Sequence, residues 1–280
     1  MNETITVTVL VENSAHARGL MGEHGLAYHV QAGARSVLFD TGQTDLVVRN
    51  ARRLGVDLSR LEAVALSHGH FDHSGGVAAV WAQAPDAVLY AHPAARGPHF
   101  ARNPDGSTRS VGMESEILEA IATPGRRRQE TVAPTQLIEG LFLTGEIPRT
   151  TGFEDVGGPF VQDAAGVCPD PLADDQALFF DTPGGIVVLL GCAHAGVVNT
   201  LRHIRHVTGG RPFHTVLGGM HLVSAGAERM ARTVEALRDA SLRRLGPAHC
   251  TGAAATARLW HEFPEACTVC SVGSRFVFER

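Results

Sequence analysis

The sequence predicts a mixed α/β (α+β) fold, and three features of the chain indicate it. Over residues 4–11, threonine alternates with aliphatic residues, which is typical of a β-strand with one face buried. Residues 61–66 are apolar enough to form a buried strand, and a Gly-Gly pair before residues 77–81 indicates the start of a helix. The second half of the chain then alternates strand-like and helix-like segments.

The remaining elements of the first half follow from local signals. Residues 26–30 and 36–39 read as a pair of strands in a hairpin around Gly33. Apolar residues recur at helical spacing over residues 46–54, and the helix is expected to stop at the glycine that follows. Residues 87–93 read as a strand that ends at a proline.

Two stretches are rich in loop-forming residues, at about residues 94–134 and 150–175. We predict that they are excursions from one domain that spans residues 1–280, and that the first carries a short helix at 114–121. The acidic residues of the second excursion are expected to be solvated. Either excursion can form the wall of a substrate pocket.

The second half of the chain is predicted to contain strands and helices in alternation. They are strands at 176–181 and 186–190, a helix at 197–207, a strand at 215–217, a helix at 228–240, a strand at 242–245 and a last helix ending near residue 261.

Composition excludes several classes of protein. The net charge of −5 gives no electrostatic footprint for nucleic acid. No apolar run approaches the roughly 20 residues of a membrane span, and no signal peptide is recognised, so a cytoplasmic location is expected. Five cysteines, an odd number, indicate reduced thiols. The expected partner is a small-molecule substrate, and the oligomeric state is left open.

The turn at residues 67–76 concentrates potential metal ligands: His68, His70, Asp72 and His73 lie within six residues. Neutral imidazole is a common ligand for zinc, iron and manganese. His68 and His70 are two residues apart, so in an extended turn both side chains can point to one side and share an ion. Asp72 and His73 follow as the chain bends, where they can hold a second ion or orient a water.

Three later strands also end in turns that carry a histidine, namely His194, His221 and His249. In α/β folds, ligands bind beyond the carboxyl ends of the strands. We therefore expect His194 and His249 to complete the metal site. Two residues are assigned catalytic roles: Asp72 would bind metal or position the nucleophile, and His221 would act as a general acid or hold a substrate anion.

The pattern His68-x-His70-x-Asp72-His73, followed by Ser-Gly-Gly, resembles the signature of the metallo-β-lactamase-fold superfamily. That resemblance implies an αββα sandwich with a one- or two-metal site at one edge of the sheets. The chain is also similar to the branch named for dihydropterin / β-ribofuranosylaminobenzene 5′-phosphate synthase. The segments that resemble this branch lie at residues 22–26, 39–42, 143–149, 191–196, 218–222 and 249–252.

The sequence departs from the superfamily in its ligand set. The superfamily usually supplies a further histidine and a bridging acid, and neither is obvious here. Cys192, His194 or His221 is a candidate for the place of the bridging acid, and Glu146 lies near the place of the missing histidine. One bound ion and an unusual pair are both open. Zinc is the expected ion, with manganese or iron as alternatives.

These ligands imply three alternative functions. A bound ion would lower the pKa of its water and polarise an ester, amide or phosphoryl oxygen. The first expectation is therefore a metal-dependent, hydrolase-like enzyme that uses a metal-bound water or hydroxide on a small, phosphate-bearing substrate. The branch resemblance implies a synthase that condenses phosphoribosyl or pterin phosphates. The third alternative is a non-catalytic sensor of a metal or a metabolite.

Overall fold

The computed structural model describes residues 4–280, so residues 1–3 of the predicted domain lie outside the described part of the chain. The strands are β1 (Thr4–Val11), β2 (Ala27–Ala32), β3 (Arg35–Phe39), β4 (Ala63–Ala65), β5 (Val88–Ala91), β6 (Phe100–Arg102), β7 (Thr108–Ser110), β8 (Arg128–Glu130), β9 (Thr135–Ile138), β10 (Leu141–Leu143), β11 (Phe160–Val161), β12 (Leu178–Phe180), β13 (Ile186–Leu190), β14 (Phe213–Gly219), β15 (Arg244–Ala248) and β16 (Arg275–Glu279). The helices are α1 (Leu46–Leu54), α2 (Phe71–Ser74), α3 (Val77–Gln83), α4 (Ser115–Ala122), α5 (Val197–Val207), α6 (Ala227–Asp239) and α7 (Ala253–Glu262).

The first sheet has seven strands in the order β16-β1-β2-β3-β4-β5-β8. Strands β2 and β3 form the antiparallel hairpin that the sequence predicts, with Gly33 at a φ of +58° in the turn. Strands β3, β4 and β5 run parallel to one another. Residues 4–11 form the predicted strand, with Val7 and Val9 in the core between the sheets. Its second half is buried on both faces, because Leu10 packs in the core beneath the helices.

The second sheet has six strands in the order β15-β14-β13-β12-β10-β9. Strands β13, β14 and β15 are parallel, so their carboxyl ends lie side by side at one edge. Strand β13 is buried along its whole length, as a continuous apolar run predicts for a strand covered on both faces.

The predicted αββα sandwich is confirmed. Side chains of the two sheets, such as Val7 and Phe180, pack together in the central core. Helices α1, α3 and α4 cover the outer face of the first sheet, with Trp81 fully buried in that layer. Helices α5, α6 and α7 cover the second sheet through residues such as Leu201.

The two excursions contain more regular structure than the sequence indicated. Helix α4 is the short helix predicted in the first excursion, but β6, β7 and β8 also form there. Strand β8 extends the first sheet, while β6 pairs with β7 and with β11 of the second excursion. The two excursions therefore contact each other. Within the part of the chain that the structure describes, no helix has the length and the apolar character needed to cross a membrane.

Candidate metal centre

The first group of potential ligands consists of His68, His70 and His194, which we call the first histidine cluster. His68 and His70 follow β4, and His194 follows β13. The ring centroids are 4.5 Å apart for His68 and His70, 4.8 Å for His68 and His194, and 4.9 Å for His70 and His194. All three side chains are buried, and each Nε2 atom has no hydrogen-bond partner.

In two rings of this cluster, His68 and His194, a hydrogen bond at Nδ1 leaves the Nε2 lone pair free for a ligand. The Ser67 hydroxyl donates to Asp40 at 2.7 Å, so it must accept the Nδ1 hydrogen of His68 at 2.8 Å. The Nδ1 atom of His194 donates to the carbonyl of Val156 at 2.7 Å. Both rings therefore carry their hydrogen on Nδ1, which is how metal-bound histidines are usually oriented.

The pKa shifts in the first histidine cluster keep its rings neutral. Burial lowers the pKa of His70 to about 3. Burial also lowers the pKa of His68 and His194 well below the usual range, and neighbouring histidines add to the effect. Neutral imidazole is the form that binds metal, so buried and unpartnered Nε2 atoms fit a cation.

The second group consists of Asp72, His73 and His249, with His24 at its rim, and we call it the second cluster. The Nε2 atoms of His73 and His249 are 3.2 Å apart. The Asp72 carboxylate lies 3.3 Å from Nε2 of His249 and 3.1 Å from Nε2 of His24. Burial would raise the pKa of Asp72, but His73 and the hydrogen bonds from His24 and His249 hold it well below its usual value.

The histidines of the second cluster are oriented in the same way as those of the first. His73 Nδ1 contacts Asp40 at 2.7 Å, and His249 Nδ1 contacts the side-chain oxygen of Asn13 at 2.8 Å. Both contacts require a hydrogen on Nδ1, so in their neutral forms the two rings would turn their Nε2 lone pairs toward each other. Burial opposes charge on His73, but Asp40 and Asp72 outweigh it and raise the pKa of His73 to about 9. A cation or a shared proton between these rings would relieve the repulsion of the lone pairs.

Cys192 lies between the two clusters. Its Sγ atom is 3.2 Å from Nε2 of His73, and it forms possible ligand triads with His68 and His194 on one side and with His73 and His249 on the other. Of the three candidates for the place of the bridging acid, Cys192 is the one that shares possible ligand triads with residues of both clusters. Burial raises the pKa of the Cys192 thiol, so a nearby cation would be needed to hold it as a thiolate.

His221 lies beside the first histidine cluster and outside both groups. Its ring centroid is 4.5 Å from that of His194, and its Nδ1 atom is buried without a hydrogen-bond partner. With Cys192 and Cys250 it forms a further possible ligand triad. All five cysteines are free, in agreement with the prediction of reduced thiols.

The Glu146 side chain lies outside these groups. Its side chain is 58% exposed, and its carboxylate lies 3.9 Å from Nε2 of His92. In the described part of the chain, Glu146 belongs to none of the possible ligand triads. His194 instead completes the first histidine cluster together with His68 and His70.

The prediction that the acidic residues of residues 150–175 are solvated is wrong for Glu154, Asp170, Asp174 and Asp175, which are all buried. Asp174 accepts the backbone N–H of Gly69 at 2.7 Å, and Asp175 accepts that of Ala195 at 2.8 Å. The two carboxylates thus hold the loops that carry the histidines. Burial raises the pKa of Asp175 to about 7.

Sequence reasoning also missed Phe160 and gave His24 no definite role. The Phe160 ring lies 5.0 Å from the ring of His70 and 5.2 Å from that of His194. His24 is 57% exposed, so it marks the accessible side of the second cluster. His24 lies in the branch-like segment 22–26, which the sequence leaves open as a pocket wall or an ordered loop. Phe160 had no signal because its position depends on the pairing of β11 with β6.

This arrangement of imidazole, carboxylate and thiol groups can hold one or two divalent cations. The fold and the histidine turn define a class of protein, and the chain belongs to the metallo-beta-lactamase superfamily, whose family model matches residues 21–202.

Three proteins are similar to this chain, and the share of each chain that is covered differs among them. The chain is 27% identical to the 7,8-dihydropterin-6-methyl-4-(beta-D-ribofuranosyl)-aminobenzene-5'-phosphate synthase of Methanocaldococcus jannaschii, over 94% of this chain and 93% of the relative. A solved structure described as a metal-dependent hydrolase of the beta-lactamase superfamily superimposes with a TM-score of 0.83 at 27% identity, covering 99% of this chain and 100% of that one. A hydroxyacylglutathione hydrolase of Xanthomonas axonopodis pv. citri is 34% identical over 42% of this chain and 43% of its own length.

Proposed function

We propose that the protein is a metal-dependent, hydrolase-like enzyme that acts on a small, phosphate-bearing substrate. The orientation of the histidines is the observation that supports the proposal. In both clusters, the rings whose Nδ1 atom is hydrogen-bonded direct their Nε2 atoms toward the other potential ligands, and the Asp72 carboxylate beside them is ionised. Zinc is the ion that this set of imidazole and thiol groups favours. A divalent ion held there would supply Lewis-acid polarisation of a phosphoryl oxygen and a more acidic water.

The side chains of the protein have separate tasks in this proposal. Asp72 is ionised, so it can accept a hydrogen bond from the attacking water and orient it. His24 lies on the accessible side, 3.1 Å from that carboxylate, where it can contact the substrate. The unpartnered Nδ1 of His221 can donate a proton to the leaving group or a hydrogen bond to a substrate anion.

A condensing synthase is the second candidate, and the relationship to the Methanocaldococcus jannaschii synthase over 94% of this chain favours it. The same groups would then stabilise a phosphate that leaves from a phosphoribosyl or pterin substrate. At 27% identity the substrate does not transfer from that relative, and one fold supports several reactions.

The metal site is tested by measuring the metal content of the purified protein by plasma mass spectrometry. We expect the wild type to carry one or two ions, and both His70→Ala and His249→Ala to lose metal because each removes an inward-facing Nε2. His206→Ala, which changes an exposed histidine on α5, is the matched control. If the wild type binds neither zinc, manganese nor iron after reconstitution, the proposal of a metalloenzyme is wrong.

The two reactions are separated by the fate of solvent oxygen. Phosphodiester, lactone and phosphoribosyl substrates would be screened in water enriched in heavy oxygen, with the products analysed by mass spectrometry. Hydrolysis places the label in the product, whereas condensation leaves it out. Metal binding without turnover of any substrate class, in the wild type and in Asp72→Asn alike, would favour the sensor instead.

A further inference from the structure

A second cavity lies on the outer face of the first sheet, beyond the end of α1. Its volume is about 430 Å³, within the range of roughly 300–1,000 Å³ of small-molecule sites. Its polar lining includes Thr8, His29, Ser36, Asp57, Arg60 and Arg275. Ser36 lies at the start of β3, whereas Asp40, which supports the metal centre, follows the end of that strand. The lining extends from the β2–β3 turn at Gly33 to His29, which pairs with Leu38, so the cavity lies on the outer face of the sheet and the histidine loops lie beyond the strand ends.

The floor of this cavity is polar although it is buried. Thr8, His29 and Ser36 each have at most 5% of their surface exposed. The Nε2 atom of His29 is buried without a hydrogen-bond partner, and buried polar groups in proteins are nearly always bonded. Burial, with help from the charge of Arg275, lowers the pKa of His29 to about 4. The ring is therefore neutral at physiological pH and has one N–H to donate.

The charges around the cavity favour an anion. Within residues 4–280, neither Arg60 nor Arg275 forms an ion pair, and the Arg275 guanidinium donates only to the carbonyl of Leu54, at 3.2 Å. One oxygen of the Asp57 carboxylate, Oδ1, accepts the backbone N–H and the hydroxyl of Ser59, at 3.0 and 2.7 Å. Two arginines against one aspartate leave the lining with a net positive charge.

We propose that this cavity binds a small phosphate ester. The phosphate would lie between the two arginines, and the hydroxyls and the His29 ring would donate to its oxygens. Guanidinium groups bind phosphate through paired, charge-assisted hydrogen bonds. The cavity is larger than a phosphate ion requires, which leaves room for the organic part of the ester. This site is independent of the metal centre and of the proposed reaction.

The test is isothermal titration of the full-length, metal-stripped protein with inorganic phosphate and with glycerol phosphate. Removing the metal eliminates binding of phosphate to a bound ion, and the arginine variants then assign the remaining signal to this cavity. We expect Arg60→Ala/Arg275→Ala to weaken binding of both ligands by about tenfold or more, the loss expected for charged hydrogen bonds. Acetate should bind more weakly than either phosphate compound.

Two further variants make the result specific. Arg232→Ala/Arg258→Ala changes the net charge equally on helices that cover the other sheet, so it should bind phosphate as the wild type does. His29→Phe keeps a ring of similar size but removes its N–H. This variant should therefore bind both phosphate compounds more weakly, while its free energy of unfolding should be no lower than that of the wild type. Equal binding by the wild type and Arg60→Ala/Arg275→Ala, or an equal loss in the charge control, would overturn the proposal.

Discussion

Replacing Asp40 with asparagine should damage both the metal centre and the fold. Asp40 is fully buried and accepts three hydrogen bonds, from the backbone N–H of Ser67 at 2.6 Å, its hydroxyl at 2.7 Å, and Nδ1 of His73 at 2.7 Å. Asparagine has the same shape, but its side-chain nitrogen is a donor. In either orientation of the new amide, its nitrogen faces at least one donor: the backbone N–H of Ser67 on one side, or the Ser67 hydroxyl and His73 Nδ1 on the other.

The magnitude follows from these contacts. The variant loses at least one charge-assisted hydrogen bond, worth about 1.5–3 kcal/mol, so the metal-free protein should lose at least that much stability. His73 would lose the carboxylate charge that holds the hydrogen on its Nδ1. Removing such a supporting partner typically costs about 10–100-fold in metal affinity.

The pH dependence of stability provides a second signature in the metal-free protein. The pKa of His73 is raised from 6.5 to about 9, so its contribution is fully present below pH 6.5 and is lost as the pH rises through 9. Part of this shift comes from Asp40. In Asp40→Asn the loss of stability over that pH range should therefore be smaller than in the wild type.

The assays are urea denaturation of metal-free protein across this pH range, and titration of zinc in competition with a chromophoric chelator. Asp181→Asn is the matched control, because Asp181 is exposed and pairs with Arg211 at the surface. If Asp40→Asn has the stability and the zinc affinity of that control, the reasoning about the tautomer of His73 is wrong.

Three other predictions concern separate parts of the site. As the pH falls from 6.5 to 3, metal-free His70→Asn should lose less stability than the wild type. In the wild type the unfolded chain takes up a proton at His70 that the folded protein does not, which lowers the free energy of unfolding by up to about 1.4 kcal/mol per pH unit. Urea midpoints measure this difference. Phe160→Ala should keep its metal content but release the metal to a chelator faster, because the ring that packs on His70 and His194 is gone. Glu154→Gln should lower the free energy of unfolding by about 1–2 kcal/mol, since this carboxylate accepts two backbone N–H groups at the start of α5, and Glu235→Gln at an exposed position should not.

The elements that the sequence predicts most accurately are those whose limits are set by local chemistry. Helices α1 and α5 begin and end at the predicted residues. Helix α1 stops at Gly55, which adopts a φ of +68°, a conformation that glycine accepts easily. Strand β16 was missed, although Phe276 and Phe278 alternate with exposed residues, because its partner β1 is at the other end of the chain.

Within the metal centre, too, groups with a local sequence signal could be predicted, whereas groups placed by distant contacts could not. The inward-facing histidines could be found because they occur in a dense motif or directly after a strand. Of their hydrogen-bond partners, Asp40 could be expected to support the histidine loop because it ends a neighbouring strand, and it contacts His73 at 2.7 Å. Asn13 could not be found, because it is 236 residues from His249 in sequence. The buried aspartates illustrate the cause: Asp174 and Asp175 lie in a stretch with the composition of a surface loop. They are buried because they accept backbone N–H groups of the histidine loops, and the N–H that Asp174 accepts is 105 residues away in sequence. A sequence motif can therefore identify the ligand atoms, but the groups that set the protonation of those atoms depend on how the two sheets are brought together.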